Sequence, residues 1–200
     1  EDGKIISVIA ALGARDSAIS DQWVPMPRVA PPGDCPAVES WRAGEDGLQS
    51  RFEVRLAHGR YPDGQRPEGR SDDGRVAFWI RSNEGLLADP LLLAVVADYI
   101  SVAIGNAIGA FAGGNSLDNT IRYARIEPAE WILCDIRIES IHHGVVHGTM
   151  HLFDETGLLM ATASQSLILR MHETPEQLAA RRAGTAPSTP PASTMCRCPV

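Results

Sequence analysis

Residues 89–111 read DPLLLAVVADYISVAIGNAIGAF, and the reading of this stretch decides the fold. Asp89 is a good N-cap, able to accept from an early helical N–H, and Pro90 takes the first helical position, where its missing N–H costs nothing. Gly113 and Gly114 supply the expected stop. The helix between them is apolar nearly all round, so it must be buried in a core or span a membrane. Its length and its Gly105-x-x-x-Gly109 pair suit a membrane. Against that stand the strand-like runs on both sides and Asp98, the single ionisable acid between Pro90 and Phe111, which would be costly in lipid. The helix is therefore predicted as the buried centre of a domain that makes no membrane contact.

Outward from the helix, the pattern changes to strands. Phe52 to Ala57 alternates apolar and charged residues, and Arg75 to Arg81 forms a second run after a polar, Gly- and Pro-rich loop. Beyond the helix come Ser116 to Ile126, Trp131 to Ile141 and Val145 to Phe153; a turn at Asp154 to Gly157 then leads into Leu158 to Arg170. A long buried helix followed by an antiparallel meander is the order of an α+β hot-dog fold, in which an antiparallel sheet wraps one long central helix.

The chain opens EDGKIISVIAAL at 1–12, which can be laid over ETGLLMATASQS at 155–166: an acidic residue, a small turn ending in Gly, then a strand with small residues at matching places. This repeat predicts that residues 1–20 are the last strand of a preceding copy of the same domain, most of it missing, so that the main domain is the second half of a double hot-dog. Residues 21–48, rich in proline, are predicted as a linker draped over a surface, because proline removes backbone donors. Residues 49–172 form the domain itself. Residues 173–200 turn to Ala, Arg, Thr, Ser and Pro and are predicted as a disordered tail.

Of the 200 residues 44% are hydrophobic and 22% charged, a balance that allows one good core. The net charge of −7, with 18 scattered Lys and Arg, argues against a nucleic-acid partner, which needs a basic stripe. Cys35, Cys134, Cys196 and Cys198 make neither a disulfide framework nor a zinc spacing. With no basic, apolar leader at the first residues, the expectation is a cytoplasmic protein. His142, His143, His147 and His151 match no defined zinc pattern and read as polar surface positions, and Gly144 and Gly148 as a tight or bulged turn. Neither a metal nor a cofactor is predicted.

Asp98 lies within the apolar helix, and burying it without partners would cost several kcal/mol or force its protonation. Ser116 opens the strand predicted after the helix, and Gln165 interrupts a small, apolar strand. The three are expected to converge beside the helix as a general base and two orienting groups for a water. The three groups lying far apart, or the acid turned outward to bulk solvent, would count against that reading. A thioester suits such a site, since its carbonyl is electrophilic and its thiolate leaves with little help.

At this point the sequence resembles a known family. The runs NSLDN at 115–119, EWIL at 130–133, GVVHG at 144–148 and DETGLLMATASQ at 154–165, with Arg170, occur in order at spacing similar to the bacterial acyl-CoA thioesterase II family and its peroxisomal relatives. WVPMP at 23–27 resembles that family's linker between two hot-dog halves. The resemblance implies hydrolysis of acyl-CoA to free acid and CoA by a water held between Asp98, Ser116 and Gln165, with Asp118 on the same strand face as Ser116 supporting it. The acyl chain is expected against the apolar helix and inner sheet face, and the chain is expected to self-associate. Hot-dog hydratases pair an Asp with a nearby His, which the helix lacks. The rival from another class is a non-catalytic acyl-binding or assembly module.

Overall fold

The structure is a computed structural model and describes residues 7–13, 16–38, 47–59 and 71–183. Its elements are β1 (Phe52–His58), β2 (Arg75–Ser82), α1 (Pro90–Ala97), a 3-10 turn (Asp98–Val102), α2 (Ala103–Ile108), β3 (Ala112–Ser116), β4 (Thr120–Tyr123), β5 (Ile132–His142), β6 (Val145–Phe153), β7 (Leu159–Met171) and α3 (Pro175–Arg182). The strands make one antiparallel sheet in the order β1-β2-β5-β6-β7-β3, with β4 also pairing with β7. The sheet curls around the α1–α2 helix, as the hot-dog arrangement requires.

Alternation along the strands produces two cores. Val76, Phe78, Ile80, Ile132, Cys134, Ile136, Val146 and Met150 face inward and close on Leu93, Val96, Ile100 and Ile104 of the helix. The residues between them face outward, where Ala77, Trp79, Leu133 and Phe153 would be left apolar and wet. The proline-rich segment covers that face. Met26, Val29 and Cys35 pack on it, and the Trp79 indole N–H donates to the Ala30 carbonyl at 2.9 Å. Gln22 reaches the β6–β7 turn, donating to Gly157 O at 3.0 Å and accepting from Leu159 N–H at 2.7 Å. Residues 36–38 run along the free edge of β1: Val38 N–H donates to Val54 O and Leu56 N–H to Pro36 O, both at 2.9 Å.

The helix starts as the sequence predicts, with the Asp89 carboxylate accepting from Leu92 N–H at 2.7 Å. It stops earlier. Gly109, at φ 66°, makes the left-handed cap, while Gly113 and Gly114 lie in β3. The helix is also interrupted, tightening to 3-10 geometry across Asp98–Val102. Pro90–Ile108 has the length and mean hydropathy, 2.0, to cross a membrane, and 56% of it is buried inside the fold.

Three further expectations are corrected. The strand expected over Ser116 to Ile126 is only the short β4, Thr120–Tyr123, and β3 ends at Ser116 after starting earlier, at Ala112: β3 pairs with 167–171 of β7 and β4 with 161–164, leaving 117–119 outside the ladder. Residues 7–13 form no strand, and Val8, Ile9 and Leu12 are exposed, since an apolar run without a partner strand has no ladder to join; residues 1–6 lie outside the described ones. Nor is the segment after Glu173 uniformly irregular. Pro175–Arg182 is helical behind a reciprocal cap, in which Thr174 N–H donates to Gln177 Oε1 at 2.7 Å and Gln177 N–H to Thr174 Oγ at 3.2 Å. Residues 184–200 lie outside the described residues.

Candidate active site

Gln165 projects from the inner face of β7 and is 2% exposed. Its Nε2 donates to Asp98 Oδ1 at 2.7 Å and to Ser116 Oγ at 2.8 Å. The 3-10 turn, the end of β3 and the middle of β7 thus meet at one carboxamide, and the three predicted residues converge. A carboxamide nitrogen carries two hydrogens, so both are used and the group can sit only one way round: reversed, its oxygen would face the carboxylate. Gln165 Oε1 is buried and has no hydrogen-bond partner among the described residues. Ser116 accepts from Gln165 and therefore has its own hydroxyl hydrogen left to give elsewhere.

Asp98 is not sunk in apolar surroundings as the sequence predicts. It is exposed, on the stripe of the helix shared with exposed Leu91 and Val95, seven and three residues earlier, which the sheet leaves uncovered. Desolvation is not what this setting provides; amide donors are. Asn119 Nδ2 adds a longer contact to Oδ1 at 3.4 Å. The neighbouring Tyr99 is buried, and burial, with Cys134 and Asp98 adding to it, pushes its phenol up to about 12, so it keeps its proton.

Asp118 does not share a strand face with Ser116. It lies between β3 and β4, and its carboxylate accepts from Ser166 N–H at 2.8 Å, next in the chain to Gln165. Where β7 lacks a strand partner, a side-chain oxygen takes the place of a backbone carbonyl, and Leu117 N–H bonds Ser166 O at 2.8 Å beside it. Asn119, overlooked as a partner of Asp98, stands one residue further along the same NSLDN run. Gly148 is not at a turn either. It lies within β6, directly opposite Gln165, on the face toward the helix. The turn is at His143 and Gly144, with φ of 48° and 78°.

The space between helix and sheet, expected to hold an acyl chain, is filled by fully buried side chains such as Phe78, Ile100, Ile104 and Met150. An open groove of ≈ 640 Å³ lies at the other end of the helix, lined by Asp72, Asp73, Ala107, Ile138 and Glu139, and includes none of the three converging residues. The His142 and His143 rings meet edge to face with centroids 4.1 Å apart, and His147 Nδ1 lies 3.3 Å from Ser166 Oγ. Among the described residues, no group of three or more His, Cys, Asp or Glu is placed to hold a metal ion.

The model of the family described as acyl-CoA thioesterase C-terminal domain matches residues 32–169. Among solved structures, the chain is similar to a protein provisionally classed as a thioesterase from Novosphingobium aromaticivorans, at 34% identity and TM-score 0.66, covering 80% of this chain and 59% of that one. It is also similar to a hot-dog protein of unknown function from Alicyclobacillus acidocaldarius, at 20% identity and TM-score 0.65, over 78% of this chain and 58% of that one. A third, the acyl-CoA thioesterase II TesB2 from Mycobacterium marinum, is 24% identical with TM-score 0.54, over 78% and 59%. The latter two likenesses attest the fold. The chain spans 58% to 59% of the length of these solved chains. None of the curated proteins matches it.

Proposed function

The chain belongs to the acyl-CoA thioesterase C-terminal domain family, and on that premise we propose that it hydrolyses fatty acyl-CoA to free acid and CoA with a water activated at Asp98, Ser116 and Gln165. The observation that carries the reading is the single carboxamide nitrogen bonded to both the acid and the hydroxyl, at 2.7 and 2.8 Å. Both amide contacts to Asp98 end on Oδ1, and Oδ2 is assigned the water's proton. The water oxygen bonds to the thioester carbonyl carbon while the Ser116 hydroxyl donates to the carbonyl oxygen, where negative charge develops. The C–S bond then breaks, and the sulfur departs as thiolate or takes the proton that Asp98 received. A thiol of ordinary pKa, about 8.5, needs little help to leave.

The exposure of Asp98 counts against the expectation of a sunken acid; the assignment is kept on the bond between its Oδ1 and the buried Gln165 amide at 2.7 Å, which holds the acid beside Ser116 where a water and a thioester can reach it. The acyl chain is placed along the uncovered helix stripe, where Leu91 and Val95 offer apolar surface N-terminal to the acid. Self-association belongs to the same reading, favoured by exposed Leu86, Leu87 and Leu117; sedimentation of the whole chain as a monomer at micromolar concentration would count against it.

The test uses the whole chain with acyl-CoA, reading released CoA with a thiol reagent. Asp98→Asn and Gln165→Ala are each expected to lower kcat by about 10²- to 10⁴-fold with an unchanged circular dichroism spectrum. Turnover at the parent rate in either variant would remove the assignment. Acyl-CoA binding without any CoA release by the parent chain would favour a binding module instead.

A further inference from the structure

We infer that Gly148 is a positioning residue for the Asp98–Gln165 pair, an inference that rests on the reading of the site given above. Gly148 faces Gln165 across the β6–β7 ladder. It is absent from the glycines with positive φ, so backbone conformation does not demand glycine there. What distinguishes the position is space. A Cβ placed on residue 148 would lie 2.4 Å from Ile100 Cγ2, 3.3 Å from Ile138 Cδ1 and 3.4 Å from the Arg137 carbonyl oxygen.

Ile100 cannot yield easily. It is fully buried, and its Cγ2 is attached directly to Cβ, where a β-branched side chain is stiff. β5 closes the other side of the position, through Ile138 and the Arg137 carbonyl. A methyl at 148 would therefore have to push back the 3-10 turn, and Asp98 is the first residue of that turn, two before Ile100. The bare strand lets the turn settle on the rung that carries Gln165, and that closeness sets the 2.7 Å bond between amide and carboxylate. Glycine otherwise weakens a strand, which is consistent with a need for close approach here.

The experiment compares Gly148→Ala with the double variant Gly148→Ala/Ile100→Leu. Leucine is an isomer of isoleucine whose branch lies one carbon further out, so it removes Cγ2 and keeps the core volume. For Gly148→Ala, kcat for acyl-CoA hydrolysis is expected to fall roughly 10²-fold at a temperature where the variant is folded, with KM within about twofold, and Ile100→Leu is expected to restore most of the loss. A second readout needs no turnover. The Gln165 carboxamide signals in a ¹⁵N-edited NMR spectrum, identified by their absence in Gln165→Ala, should move in Gly148→Ala and return in the double variant.

Parent-like kcat together with unmoved amide signals in Gly148→Ala would overturn the inference, as would a loss that Ile100→Leu leaves in place. Should Gly148→Ala not fold, the double variant decides: parent-like kcat and signals support the inference, and a folded double variant still impaired in both overturns it. Asp98→Asn separates the two readings. If it keeps full turnover, the assignment of the site fails and the NMR signals alone judge Gly148; if it abolishes turnover while Gly148→Ala changes neither readout, only the positioning role fails.

Discussion

Gln165 spends both amide hydrogens on Asp98 and Ser116 and leaves its oxygen buried without a partner, an arrangement that favours the site at some cost to stability. Ser116 is expected to matter through the hydrogen it has left to give: Ser116→Ala should lower kcat by about 10²-fold, and Ser116→Thr should keep most of it. Equal rates for the two variants would deny the hydroxyl a part in the reaction. Cys134 is the inert counterpart, its thiol pushed well up by complete burial, with Asp135 adding to the shift. Its peptide should stay unalkylated by iodoacetamide in the native protein at neutral pH and react fully on unfolding, as read by mass spectrometry. The convergence of Asp98 and Gln165 was legible because a polar residue inside an apolar run stands out, and that of Ser116 because it opens the strand expected after the helix. Asn119 and Gly148 were not: an asparagine in a turn looks like turn chemistry, and what a glycine permits depends on the atom that approaches it from another element.

Among the elements, the Asp89 cap was readable in the sequence, and so was every strand but one. Replacing Asp89 by Ala should cost about 1 kcal/mol in chemical denaturation, while a loss near zero would mean that the first turn is held by packing and by the Tyr123 hydroxyl, which donates to Pro90 O at 2.7 Å. The break between β3 and β4 was hidden because Asp118 substitutes for a strand carbonyl, something spacing does not reveal. The cap at Thr174 and Gln177 was in plain view, yet the composition of the residues after it outweighed four residues of local chemistry. In β1, burial pushes the Glu53 carboxyl up, but hydrogen bonds and charge from Arg55 and Arg81 outweigh it and hold the group below its usual range. A carboxyl depressed in the folded state contributes stability above its unfolded pKa, about 4.3, and that contribution disappears as pH falls through the lower folded value. Urea midpoints measured across the acid range should therefore fall less steeply for Glu53→Gln than for the parent; identical slopes would show that the two arginines do not hold the carboxyl down.

At the scale of the molecule, the sheet has a core on each face, one filled by the helix and the other by residues 22–38. The helix core was legible from alternation and periodicity. The outer one was only half so: the linker was expected to drape over a surface, but which surface depends on Trp79, Leu133 and Phe153 coming together from three strands. Trp79→Phe, which removes the indole donor to Ala30, should cost about 1 kcal/mol and raise hydrogen exchange across 22–38; protection equal to the parent's would show that packing alone holds the segment. The same segment does one thing more, since residues 36–38 bond the side of β1 that faces away from the rest of the sheet. An unpaired strand flank is a template onto which other chains add. Proteolytic loss of that short stretch would thus do more than loosen a cover: it would uncap a growth point, and the clipped protein should seed filaments that the intact one does not.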